Sequence, residues 1–110
     1  MMALCKLQGY AAIALSITGG ISPNRTGWLL PFGGTMNSTR IADRHKPVTD
    51  AVHEHDGKIA MQVLHAGRYG YHPFSKGASS RKSPITPFRP RTMSTKEVDR
   101  TATDFAKAAQ

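Results

Sequence analysis

The side chains best placed to do chemistry crowd into one stretch, Lys58 to Tyr71, which reads KIAMQVLHAGRYGY. Ile59, Ala60, Met61, Val63 and Leu64 make a nearly unbroken apolar run, and Gln62 interrupts it. A short apolar run without clean alternation is the pattern of a strand buried on both faces. An amide inside such a strand needs a partner, because leaving it unpaired costs about 1–3 kcal/mol. Gln62 carries two donors and an acceptor, so that partner is another backbone edge or a ligand. His65, Gly67 and Arg68 follow where the strand should end. Parallel α/β folds bind ligands at the carboxyl ends of their strands, which makes the stretch a candidate site. His65 reads either as a general base or as a histidine held at the strand end by backbone groups. Arg68 reads either as a ligand contact or as half of a salt bridge that shapes its loop.

The elements that must position these residues can be read on either side. Ala11 to Thr18 reads as a strand, stopped by Gly19-Gly20. Residues 21 to 44 carry Pro23, Gly27, Pro31, Gly33 and Gly34 with no sustained period, as a long functional loop would. Trp28, with Leu29 and Leu30, is a core residue or a rim residue of that loop. His45 to Asp56 reads as a helix, with Pro47 in its first turn and an apolar stripe of Val48, Ala51 and Val52 ending at His55. Gly57 stands where a left-handed C′ residue belongs. His53 and His55 are two apart, on different sides of that helix, and do not make a metal pair. Residues 70 to 93 hold Pro73, Pro84, Pro87 and Pro90, which forbid a regular helix, with Ile85, Phe88 and Met93 as packing anchors. Ser94-Thr-Lys-Glu97 is a capping box, and the stripe from Val98 to Ala109 predicts a helix reaching at least Ala108. The order strand, helix, strand, helix is a βαβα unit with a right-handed crossover and parallel strands. Gly20, Gln62, His65 and Arg68 should then gather at one rim, with the Gln62 amide buried and facing it.

Three segments bear a resemblance. QVLHAGRYGYHP resembles the Q-[IL]-x-H-x-G-R-Y segment of the old yellow enzyme family of FMN-dependent reductases. Its Gly-Arg-Tyr-x-Tyr-x-Pro continuation most resembles the 2,4-dienoyl-CoA reductase branch. Thr18-Gly-Gly-Ile-Ser-Pro23 and Lys82-Ser-Pro-Ile-Thr-Pro-Phe88 resemble the same branch, in its order and at its spacing, so the resemblance covers roughly residues 9 to 110. It implies a partial (β/α)8 TIM barrel, roughly strands 2 and 3 with long βα loops. Such a barrel takes roughly 250 residues, so residues 1–110 read as a single incomplete segment of an FMN-binding domain, the product of a truncated or partial reading frame. The abrupt stop at Gln110, without a C-cap signal, fits that reading.

The implied activity is an FMN-dependent NADH:flavin oxidoreductase passing hydride from reduced FMN to an activated enoyl double bond. The resemblance puts Gly20 at the FMN and Gln62 on the pyrimidine edge of its ring, with His65 and Arg68 at the substrate rim. The family's proton-donating tyrosine would lie beyond residue 110, and Tyr69 and Tyr71 are not its equivalents, so no catalytic residue and no metal ligand is expected here. Full-length relatives of the branch also carry FAD, a 4Fe-4S cluster and NADPH, at sites outside this chain. The implied partner is a small enoyl substrate, such as a CoA ester, in the cytoplasm. On these grounds the chain alone should be inactive and bind FMN weakly or not at all.

Composition narrows the alternatives. Fifteen Lys and Arg against seven Asp and Glu give 15 − 7 = +8. Such an excess can mark a nucleic-acid or membrane-surface partner. Much of it sits in loops, at Arg40, Arg44, Lys76, Arg81, Lys82, Arg89 and Arg91, without a basic helix face or stacking platform. A small basic protein binding an anionic partner is the rival reading, and strong salt sensitivity would mark it. Cys5 is the only cysteine, so no internal disulfide and no CxxC metal pair exists. Lys6 ahead of the apolar run from Tyr10 to Ile17 has the outline of a signal peptide, but a strand and tight loop account for the same residues. No GxSxG or GxGxxG occurs.

Overall fold

The computed structural model describes residues 15–110. The expected strand positions Ala11 to Ala14, and Cys5, lie outside them. The element order is β1 (Leu15–Ile21), α1 (Thr39–His53), β2 (Lys58–Val63), β3 (Lys76–Gly77), β4 (Arg91–Thr92) and α2 (Thr95–Ala108). Single 3-10 turns stand at Arg25–Gly27 and Gly67–Tyr69. β1 and β2 are neighbours in one two-stranded sheet, and β3 and β4 form another. The described residues form two compact units, 15–19 with Ser38–Gln62, and Gly20–Asn37 with Val63–Gln110.

In the first unit α1 begins at Thr39, six residues before the expected start, and Pro47 stands inside it. The expected boundary took Pro47 as a first-turn residue. The helix instead runs through it, losing one backbone hydrogen bond. Its end is a Schellman motif. Gly57 N–H donates to the Val52 carbonyl at 3.1 Å, and Asp56 N–H to the His53 carbonyl at 3.0 Å. The left-handed residue is Asp56, at φ 55, not the expected Gly57; the short polar side chain of Asp tolerates that backbone. Val52 is the buried apolar residue of α1.

β1 does not stop at Gly19-Gly20; it continues through both to Ile21. β2 has the expected position, but its burial departs from expectation. The run is exposed or half-buried throughout, with Met61 and Gln62 both exposed. Leu15 and Ile17 of β1 are also open, at 54% and 64% exposed. A strand pattern written for two covered faces here meets only partial cover among the described residues, at Ile59 and Val63.

The second unit is built on loops. Its buried apolar residues include Met36, Ala66, Pro23 and Pro90, joined by buried Ser22, His72, Ser75, Ser83 and Thr86. The proline-rich segment is ordered by local polar bonds. Ile85 N–H donates to Ser83 Oγ at 3.3 Å and Phe88 N–H to Thr86 Oγ1 at 3.2 Å. These turns sink the hydroxyls and leave Ile85, an expected anchor, 69% exposed. Phe88 is half-buried, edge-on to Tyr71 at 5.7 Å. β3 and β4 pair in parallel, Lys76 with Arg91 and Gly77 with Thr92.

The capping box forms as expected. Ser94 Oγ accepts from Glu97 N–H at 3.4 Å, and Glu97 Oε2 accepts from Ser94 N–H at 2.9 Å. Lys76 Nζ donates to Glu97 Oε1 at 2.6 Å, and Arg91 reaches the same oxygen. One carboxylate thus clasps both strands of the small sheet to the start of α2. The Lys76 hydrogen bond, then the Ser94 backbone, then Arg91 hold its pKa down at about 2.

Candidate functional site

Gln62 sits one residue before the end of β2, on a strand, with its side chain exposed instead of buried. Its backbone N–H donates to Thr18 Oγ1 at 3.1 Å. Among the described residues its amide has no hydrogen-bond partner, so both donor and acceptor faces are available. Gln62 belongs to the first unit; Gly20, His65 and Arg68 belong to the second.

Gly20 packs on the residue after β2. A Cβ there would stand 2.5 Å from Leu64 Cδ2 and 3.1 Å from its Cβ, so any side chain at this position would force Leu64 to move. Next along, Leu64 N–H donates to the Ile21 carbonyl at 2.8 Å. Leu64 and Gly20 line a half-open cavity of about 170 Å³ with Leu29, Leu30, Ser22, Gly27, Gly33 and Gly34.

His65 is half-buried and fully engaged. Its Nδ1 accepts the Gly67 N–H at 3.2 Å, which leaves the proton on Nε2. That proton points to Thr26 Oγ1 at 3.4 Å, and the Thr26 hydroxyl donates to Asn24 Oδ1 at 2.8 Å. Asn24 Nδ2 then donates to Asp104 Oδ2 on α2 at 2.8 Å. Burial, and then the nearby His72, push the His65 pKa below its ordinary value. His65 is thus held at the strand end, with both nitrogens occupied, and packed so closely on Gly27 that a Cβ there would lie 2.6 Å from its ring.

Arg68 makes no salt bridge among the described residues. It is exposed, lies over the Tyr69 ring at 5.0 Å, and donates to the Tyr69 hydroxyl at 3.0 Å. Among the described residues no hydrogen bond joins Gly20, His65 and Arg68 to one another. Each is tied to its own neighbour.

Sequence reasoning missed a second cluster. His72 is 1% exposed, and its Nε2–H donates to the Trp28 carbonyl at 2.8 Å. Its Nδ1, and Ser75 Oγ, are buried without hydrogen-bond partners among the described residues. Trp28 is half-buried and donates from Nε1–H to Thr35 Oγ1 at 2.7 Å. The Arg25 guanidinium lies over Trp28 at 5.6 Å and over Phe74 at 5.0 Å. The one signal for this cluster was Trp28 beside glycines. Nothing in a single sequence ties residue 28 to residue 72. Among the described residues no group of His, Cys, Asp and Glu could hold a metal, and no helix is long and apolar enough to cross a membrane.

Residues 5–110 match the NADH:flavin oxidoreductase / NADH oxidase family. The N,N-dimethylglycine/sarcosine dehydrogenase of Chromohalobacter salexigens is 31% identical in an alignment of 103 residues covering 87% of this chain and 15% of the relative. Morphinone reductase, solved in complex with tetrahydroNAD, superposes with a TM-score of 0.77 at 22% identity, over 86% of this chain and 32% of that one. The old yellow enzyme homologue from Zymomonas mobilis gives 0.76 at 24% identity, over 86% and 30%. These likenesses show the fold: part of a TIM barrel, spanning about a third of the solved relatives.

Proposed function

The chain belongs to the NADH:flavin oxidoreductase / NADH oxidase family, and from that premise we propose that it carries part of the FMN site of an FMN-dependent enoate reductase of the 2,4-dienoyl-CoA reductase type. The observation that carries the reading is the Gln62 amide, exposed at the carboxyl end of β2 and unpartnered among the described residues. An amide that both donates and accepts fits the pyrimidine edge of a flavin, which presents both kinds of group. Gly20, by the same resemblance, brings backbone alone to the cofactor. When bound, the flavin would supply hydride chemistry, with an enoyl compound, a CoA ester in this branch, as acceptor and NADPH as the reductant of the full-length relatives.

This chain's own residues position. Gln62 orients the ring by two hydrogen bonds from one side chain. His65, neutral and doubly engaged, fixes the turn at Gly67, whose φ of 56 is left-handed. That turn sets where Arg68 leaves the chain at the rim. No residue here is assigned proton donation.

Titration of FMN, followed by quenching of flavin fluorescence, tests the reading. The purified chain is expected to be colourless, and to bind added FMN weakly but saturably. Gln62→Ala should weaken that binding roughly fivefold. Equal affinity in the variant would count against Gln62 as a flavin contact.

A further inference from the structure

The loop after β1 makes a turn, Leu30-Pro31-Phe32-Gly33, closed by Gly33 N–H on the Leu30 carbonyl at 3.0 Å. Its third residue, Phe32, has φ 60. That position of a turn ordinarily falls to Gly or Asn. For a bulky side chain the left-handed backbone is an outlier, and such strain gathers at ligand clamps. Burial does not offset it: Phe32 is 86% exposed, with its ring tilted 5.8 Å from Trp28. The residues flanking the corner, Leu30 and Gly33, line the 170 Å³ cavity.

The lining defines what that cavity accepts. Ser22 is its one polar side chain, and its hydroxyl already donates to the Asn24 carbonyl at 2.5 Å. No charged residue lines it, so a phosphate or carboxylate would go uncompensated. An enclosed apolar cavity of about 150 Å³ accepts benzene; this half-open one has room for a group of that size, whereas a three-ring flavin is too large for it.

We propose that the cavity is a subsite for a neutral apolar group of about six carbons, with Phe32 as the residue that closes over it. The proposal rests on the flavin reading only in identifying that group as part of the substrate; binding there needs no flavin.

Fluorobenzene titrated into the full chain tests this. Binding is read by fluorine NMR and by the fluorescence of Trp28, the sole tryptophan. Wild type should bind saturably. In Gly34→Leu the new Cβ meets only Ile21, at ordinary contact distances of 3.5 and 4.0 Å, and bulk is added at a residue that lines the cavity. That variant should keep or raise Tm and lose roughly tenfold or more in affinity. Phe32→Asn, which accepts the left-handed backbone, should keep or raise Tm and weaken binding roughly two- to tenfold. No saturable binding by wild type, or wild-type affinity in Gly34→Leu, would overturn the proposal. So would a lowered Tm with unchanged affinity in Phe32→Asn, which would make Phe32 a packing residue. Saturable fluorobenzene binding together with equal FMN affinity in wild type and Gln62→Ala would count against the flavin reading and leave the subsite standing.

Discussion

At the scale of single residues, the second unit depends on polar side chains that each serve several partners. Asn24 accepts from Thr26 and from the Gly27 N–H, and donates to Asp104. Asn24→Ala removes a cap and frees the relay that holds His65, so a loss of about 1–2 kcal/mol is expected in urea unfolding. His65 gives a pH signature. Its folded pKa lies below its ordinary value of 6.5, so the unfolded chain takes up the proton first as pH falls. The His65 contribution should therefore be neutral above about pH 6.5 and turn destabilising as pH falls below it. His65→Asn should remove that part of the slope; an identical slope in the variant would deny the burial of a neutral imidazole.

At the scale of elements, α1 and α2 contrast. The α2 start is fixed by a capping box, and Ser94→Ala should cost about 0.5–2 kcal/mol, seen as a lowered Tm. Glu97 adds acid sensitivity. Its pKa is depressed from 4.5 to about 2, so its contribution is full above about pH 4.5 and fades as pH falls toward 2. Glu97→Gln should flatten that window and loosen β3–β4 as well as the helix, because Lys76 and Arg91 lose the same partner. In α1, Pro47 interrupts a helix that continues around it. Pro47→Ala should raise stability by about 1–3 kcal/mol, given the low helix propensity of an interior proline. A lowered Tm would mean that Pro47 serves a contact worth more than the missing hydrogen bond.

At the scale of the whole molecule, the strands carry more apolar surface than the described residues cover. Leu15, Ile17 and Met61 stand open, and two strands leave sheet edges that a closed barrel would pair. The solved relatives have roughly three times the covered length to do so. Expressed by itself, the chain should self-associate in a concentration-dependent way on sizing columns and show no FMN-dependent NADPH oxidation with an enoyl substrate. A monomer turning over such a substrate would overturn that expectation.

The sequence alone determined what is encoded locally. The capping box, the position of β2, the C-terminal helix to Ala108 and the three family-like segments all depend on residues within a few positions of each other, where propensity and capping act. It also limited His65 to two roles, since an imidazole at a strand end can exchange protons or be held. Only the tertiary structure supplied its burial and the Thr26–Asn24–Asp104 relay, because those partners come from far along the chain. The same holds for buried His72 beneath Trp28, and for Phe32, whose backbone angle follows from the turn it must close. Burial itself was the least legible property. An apolar run records that a face is meant to be covered, while the covering belongs to whatever packs against it.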